Sequence, residues 1–232
     1  MKNRIIILTA GKVGSLTIKC SLQKNPYLHD YPIYHGHNSK KFHNYWHHMS
    51  LADYYNAHKH DDKWYFIVGI RNPIECYISS WYENNKGDFP LEEYEHGYGA
   101  AEWWLSFLDR EYKDIFGIDL YMYDFNVKKG YSVYKPLENV SVLVYKLNKL
   151  NDVFDSAVYD LLGISNVKII NQNFTCKKSK SISKSYNETK NKYKIEEKYL
   201  NKILDHKHIK HFFSDEEIDS IRNKWLTHDN LA

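Results

Sequence analysis

Arg4-Ile5-Ile6-Ile7-Leu8-Thr9-Ala10-Gly11-Lys12-Val13-Gly14-Ser15-Leu16-Thr17 joins an apolar run to a loop of small residues and a new apolar period. Residues 4–9 have the unbroken apolar character of a strand buried on both faces. Gly11 and Gly14 permit a tight turn. From Ser15 to Gln23 the spacing becomes helical, until Asn25-Pro26 stops it. A strand that feeds a helix through such a loop builds an anion site. The first-turn N–H groups have no intrahelical acceptor, and the helix dipole is positive there. Residue order separates this loop from the ATP-binding one. In G-x-x-x-x-G-K-[ST] the lysine follows the second glycine and precedes a Mg²⁺-binding hydroxyl. Here Lys12 precedes Gly14 and Ser15 follows it, so the loop suits a different anionic donor.

The 232 residues, 43% hydrophobic, suit one domain over 1–232 with a sizeable core. The net charge is +3 but uneven, with eleven lysines against four acids between residues 176 and 210. A local basic segment points to an anionic ligand rather than to a nucleic-acid coat. Cys20, Cys76 and Cys176 have no paired spacing, which suits reduced thiols and a cytoplasmic protein. Cys20 and Cys76 fall in expected helices as buried, inert side chains. The apolar run at 5–8 is too short for a signal segment or a membrane span.

Two further strands read clearly at Trp64 to Ile70 and Val140 to Tyr145, with short candidates at 32–35, 119–125 and 131–135. Helices are expected at 40–59, from Pro73 to 85, at 90–96, 100–115, 151–162, 188–205 and 214–227. Asn72 caps the second of these, Gly163 ends that at 151–162, and Ser214 with Glu217 forms a capping box for the last. The Lys/Ser-rich run at 176–194 reads as a mobile basic loop. Buried strands alternating with helices give an α/β fold, a mostly parallel sheet covered on both faces, closed by C-terminal helices. Ligands of such sheets bind at the carboxyl ends of the strands. The Lys12 loop, His35-Gly36-His37 and Arg71 all fall at such ends.

Arg71-Asn72-Pro73 carries the second anion signal. Arginine offers a planar fork for phosphate, and Ser79 adds a hydroxyl eight residues on. Taken together, Lys12-x-Gly14-Ser15-x-Thr17 and Arg71-x-Pro73 with Ser79 resemble the two donor-binding motifs of the sulfotransferases. These enzymes use 3′-phosphoadenosine 5′-phosphosulfate (PAPS), which leaves as PAP. Tyr34-His35-Gly36-His37 resembles a segment of the heparan and uronyl 2-O-sulfotransferases. Lys63-Trp64-Tyr65 and Phe212-Phe213-Ser214-Asp215-Glu216-Glu217-Ile218 resemble bacterial proteins named for capsular polysaccharide synthesis, themselves sulfotransferase-like. One departure is Asn72, where the family usually has Asp; Asn also caps a helix.

The resemblance implies a P-loop-kinase-like sulfotransferase fold and transfer of a sulfuryl group from PAPS to a carbohydrate hydroxyl, without a metal. Lys12, Val13, Gly14, Ser15, Leu16 and Thr17 then hold the 5′-phosphosulfate, and Arg71 and Ser79 the 3′-phosphate. His35 is the expected base, with His37 orienting it or the acceptor, and Lys12 stabilises the leaving phosphate. The acceptor is a polysaccharide or glycan, neutral or acidic, and neither nucleic acid nor membrane insertion is implied. The oligomeric state stays open.

Other readings compete. A nucleotide kinase of related fold would need Mg-ATP, against the Lys/Gly order. A non-catalytic module would bind a nucleotide or an acidic polymer. Thirteen histidines could make His35-x-His37 half of a metal pair, yet no HExxH-type spacing is present. Trp103, Trp104, Tyr94 and Tyr98 serve either as core or as sugar platforms. The Lys177 to Lys194 run is a solvated loop, a lid over the 3′-phosphate or a track for an acidic glycan.

Overall fold

A computed structural model describes residues 1–40, 49–84, 97–170 and 180–226. The apolar runs become strands β1 (Asn3–Leu8), β2 (Ile33–Gly36), β3 (Lys63–Ile70), β4 (Tyr131–Leu137) and β5 (Val140–Lys146). They form one sheet in the order β2-β1-β3-β5-β4. Every neighbouring pair is parallel except β4 and β5, which a tight turn at Glu138-Asn139 joins as a hairpin. The fold is therefore α/β with a mostly parallel sheet, as its alternating strands and helices imply. The helices are α1 (Ser15–Gln23), α2 (Leu51–His58), α3 (Pro73–Asn84), α4 (Gly97–Leu105), α5 (Asp114–Phe116), α6 (Leu150–Leu162), α7 (Lys180–Lys192), α8 (Glu197–Leu204), α9 (Lys207–Phe212) and α10 (Asp215–Trp225).

The chain forms two compact units. One comprises Met1–Arg71 and Phe107–Asn173, the other Asn72–Ser106 and Phe174–Ala232. The first holds the whole sheet. Successive strand residues face opposite sides. On one side Ile5, Ile7, Ile67 and Leu143 are buried with Ile18 and Leu22 of α1 and Phe154 and Val158 of α6. The other side is aromatic: Trp64 and Phe66 meet Tyr55 of α2 edge-on, and Phe66 meets Tyr112 and Phe116. In the second unit Ile74 and Ile78 of α3, Leu105, Leu200, Ile203 and Trp225 form a separate core. Ser214 and Glu217 close the capping box of α10, and Gly163 ends α6 in the left-handed conformation.

Several elements differ from their sequence-based expectation. Residues 119–125 are not a strand. The Asp119 side chain accepts from the Tyr121 N–H and curls Leu120–Met122 into a 3₁₀ turn. The helix expected over 100–115 ends at Leu105, and Leu108–Lys113 continues as a π-turn. The basic segment is not a loop between Lys180 and Lys192: α7 buries Tyr186 and Thr189, Tyr193 is buried just past its end, and the Tyr82 hydroxyl bonds Thr189 Oγ1 at 2.6 Å. The helix expected over 188–205 is interrupted where Ile195 makes a β-bridge to Leu226. The helix expected at 90–96 lies outside the described residues, as do 41–48 of the helix expected at 40–59. No described helix is long and apolar enough to cross a membrane.

Candidate functional site

The parallel register sets Ile7 beside His35 and Leu8 beside Gly36, so β1 and β2 end together. Beyond β1 the chain turns through three left-handed residues, Gly11 (φ 87°), Lys12 (φ 60°) and Gly14 (φ 80°). Such turns aim successive N–H groups into a concavity suited to an anion. Lys12 has a Cβ and holds this conformation at a cost of about 1–2 kcal/mol. Gly14 caps α1, and a Cβ there would lie 2.8 Å from Leu147 Cδ1, so both its φ and its surroundings select glycine. The Arg71 guanidinium, just past β3, donates to the Lys12 carbonyl at 3.1 Å. Arg71 is thus tied to the backbone of the loop that carries Lys12.

Two buried phenols hold the loop from the sheet. Tyr112 Oη donates to the Leu8 carbonyl at 2.8 Å and Tyr145 Oη to the Val13 carbonyl at 2.6 Å. Burial pushes both hydroxyls above their usual range, for Tyr112 with a contribution from the Glu111 carboxylate, so both keep the proton they donate. Tyr112 belongs to the π-turn, in which the Asp114 N–H bonds the Asp109 carbonyl five residues back.

His35 lies in β2 and His37 just beyond its end, in the bend that follows. Their rings meet edge-on at 5.1 Å. His35 Nε2 is 2.9 Å from Ser15 Oγ, at the start of α1. His37 Nδ1 is 2.8 Å from the Thr9 carbonyl and 3.3 Å from Thr9 Oγ1. A carbonyl only accepts, so Nδ1 carries a proton and Nε2 of the neutral ring is the acceptor. Two residues on, buried Ser39 donates through both N–H (2.8 Å) and Oγ (2.6 Å) to Glu111 Oε2.

Lys12, Ser15, His35, His37 and Arg71 therefore come together in the first unit. Val13 and Thr17 are buried and Leu16 is exposed. Ser79 is half-buried on α3, in the second unit. Among the described residues no three His, Cys, Asp or Glu side chains cluster as a metal site. Trp104 packs edge-on against Tyr77 and Trp103 is 40% exposed. Cys76 is buried and Cys20 half-buried. Tyr94, Cys176 and the side chain of Tyr98 lie outside the described residues. Sequence reading did not single out Thr9, Glu111, Tyr112 or Tyr145. Thr9 and Tyr145 carried a signal only as the last residues of clear buried strands.

No curated protein and no solved structure matches the chain. One family model does, over residues 99–214. That span holds Glu111, Tyr112 and Tyr145 but none of Lys12, His35, His37, Arg71 and Ser79. It takes in half of the 232 residues, and the chain belongs to the family described as "Putative capsular polysaccharide synthesis protein".

Proposed function

We propose that this protein sulfates a carbohydrate of the capsular polysaccharide class, taking the sulfuryl group from PAPS through a P-loop-like sulfotransferase fold. The observation that carries the reading is the 2.8 Å contact of His37 Nδ1 with the Thr9 carbonyl beside the Lys12 loop. A base whose free nitrogen is fixed by the Thr9 carbonyl stands next to a left-handed anion cradle. The family's link to capsule synthesis supports the choice of acceptor.

The residues present suit the donor. The left-handed loop, the N-terminus of α1 and Lys12 offer charge and N–H groups for the 5′-phosphosulfate, and the Arg71 guanidinium serves the 3′-phosphate. PAPS, when bound, supplies the sulfuryl group and leaves as PAP. The acceptor oxygen bonds to sulfur as the bond from sulfur to the phosphate oxygen breaks. The hydroxyl proton passes to His37 Nε2, and the electron pair stays on the phosphate oxygen. Lys12 and the loop amides stabilise that oxygen, a contribution of about 3 kcal/mol per donor. Histidine is the side chain suited to take a proton near neutral pH. The hydrogen-bond directions favour His37 as the base over the sequence-based choice of His35, whose Nε2 is engaged by Ser15 Oγ.

Thermal unfolding with PAP, compared with Mg-ATP, tests donor choice. PAP at about 100 times its Kd adds roughly 2.7 kcal/mol. Labelled-sulfate transfer to polysaccharide tests the reaction: His37→Ala loses about 10²–10⁴-fold in rate and keeps PAP binding. Stabilisation by Mg-ATP alone, or full transfer by His37→Ala, overturns the reading.

A further inference from the structure

We propose that Glu111 is a positioning residue that sets the His35/His37 segment against the Lys12 loop. The inference rests on the reading of those histidines as the acceptor side of the site. Glu111 is 3% exposed, a carboxylate hidden from water on a π-turn. A buried carboxylate is unfavourable without donors. Its donors are the N–H and hydroxyl of Ser39, 72 residues away and itself fully buried. The next residue, Tyr112, bonds the Leu8 carbonyl at the end of β1. Consecutive residues of one widened turn thus hold the ends of two neighbouring segments. Tyr112 fixes where the Lys12 loop departs, and Glu111 fixes where the histidine segment ends.

Ser39 is held a third time, its carbonyl accepting from the Ala52 N–H at the start of α2. His37 lies two residues before this anchor, and its bond to Thr9 needs the two segments in one register. Glu111 touches neither histidine in this arrangement. It acts through Ser39, by keeping His37 Nδ1 on the Thr9 carbonyl and Nε2 free.

The test compares Glu111→Leu, Glu111→Gln and Ser39→Ala in the full chain. Leucine removes the acceptor, glutamine keeps an oxygen able to accept both bonds, and alanine removes one donor with little effect on packing. Nitrogen-15 imidazole spectra report the tautomer of His37. They are expected to show protonated Nδ1 in the wild type and Glu111→Gln, and mixed tautomers in Glu111→Leu. Sulfate transfer is expected to lose about 100-fold in kcat with Glu111→Leu, the scale of a small misplacement of a reacting group. Ser39→Ala falls between, KM for PAPS stays within threefold, and glutamine restores most of kcat. Should Glu111→Leu not fold, Ser39→Ala decides alone. A folded variant lacking the bond that keeps the wild-type tautomer and kcat overturns the proposal. If no chain binds PAP or transfers sulfate, the donor reading fails, while the tautomer spectra still judge Glu111.

Discussion

The Tyr145 hydroxyl bonds the Val13 carbonyl across 132 residues of sequence, and Gly69 leaves the room for it. A Cβ on Gly69 would lie 2.6 Å from Tyr145 Oη and 2.7 Å from Val13 Cγ2. Tyr145→Phe leaves a buried carbonyl unpaired and costs about 1–3 kcal/mol. Gly69→Ala overpacks the same spot, at about 1–3 kcal/mol. Urea unfolding of the double variant is expected to show coupling of at least about 0.5 kcal/mol, since the hydroxyl that the new methyl meets is gone. Strict additivity would disprove the shared contact.

Lys12 sets stability against function. Glycine takes its left-handed conformation without strain, so Lys12→Gly stabilises the fold by about 1 kcal/mol relative to Lys12→Ala, which keeps the strain. Both variants lose the ammonium and with it binding of PAP. Thermal unfolding and PAP titration on the pair check this, and equal stability of the two would refute it.

Arg4 and Asp62 form a buried pair at the opposite end of the sheet, 2.9 Å apart, with Lys2 N–H on the second carboxylate oxygen. Burial pulls the Asp62 carboxyl up, but hydrogen bonds from Lys2 and Arg4 outweigh it and hold the group below its usual value of 3.8. The stabilisation is therefore complete above that value and lost as pH falls through the lower folded one. Asp62→Ala takes the carboxylate from the guanidinium, which keeps the Tyr34 hydroxyl at 3.4 Å, and costs about 3 kcal/mol at pH 7. Guanidinium chloride unfolding at pH 7 and at pH 3 is expected to show a smaller gap from wild type at the lower pH.

His208 behaves in the other sense from a surface histidine. Burial, then the charges of His206 and His211, pushes it down to about 3 from 6.5. The unfolded chain binds a proton there below about pH 6.5 and the folded one does not. Stability is whole above 6.5 and declines as pH falls towards 3, by up to roughly 1.4 kcal/mol per pH unit. His208→Leu removes this slope from a plot of unfolding free energy against pH. An unchanged slope would mean that another group sets it.

The centre of the sheet was legible because β1, β3 and β5 are unbroken apolar runs whose faces are both covered. The polar elements were harder. Composition marks the basic run at 176–194 as loop, yet between Lys180 and Lys192 Tyr186 and Thr189 recur at helical spacing and their burial decides the outcome. Lys12, His35, His37 and Arg71 were readable because parallel strands place their C-terminal ends together. Glu111 and Tyr112 were not, because the groups they hold are 72 and 104 residues away and no local pattern records such a pairing.

The two phenols that grip the anion loop also shape how the site fails. Tyr112 and Tyr145 belong to the most deeply buried part of the sheet unit, so the loop cannot open without breaking bonds to the core. Binding loops are usually the first part of a protein to melt. Here the cradle shares its cooperativity with the sheet: on heating, anion binding and the sheet vanish together, with no intermediate that is folded but unable to bind.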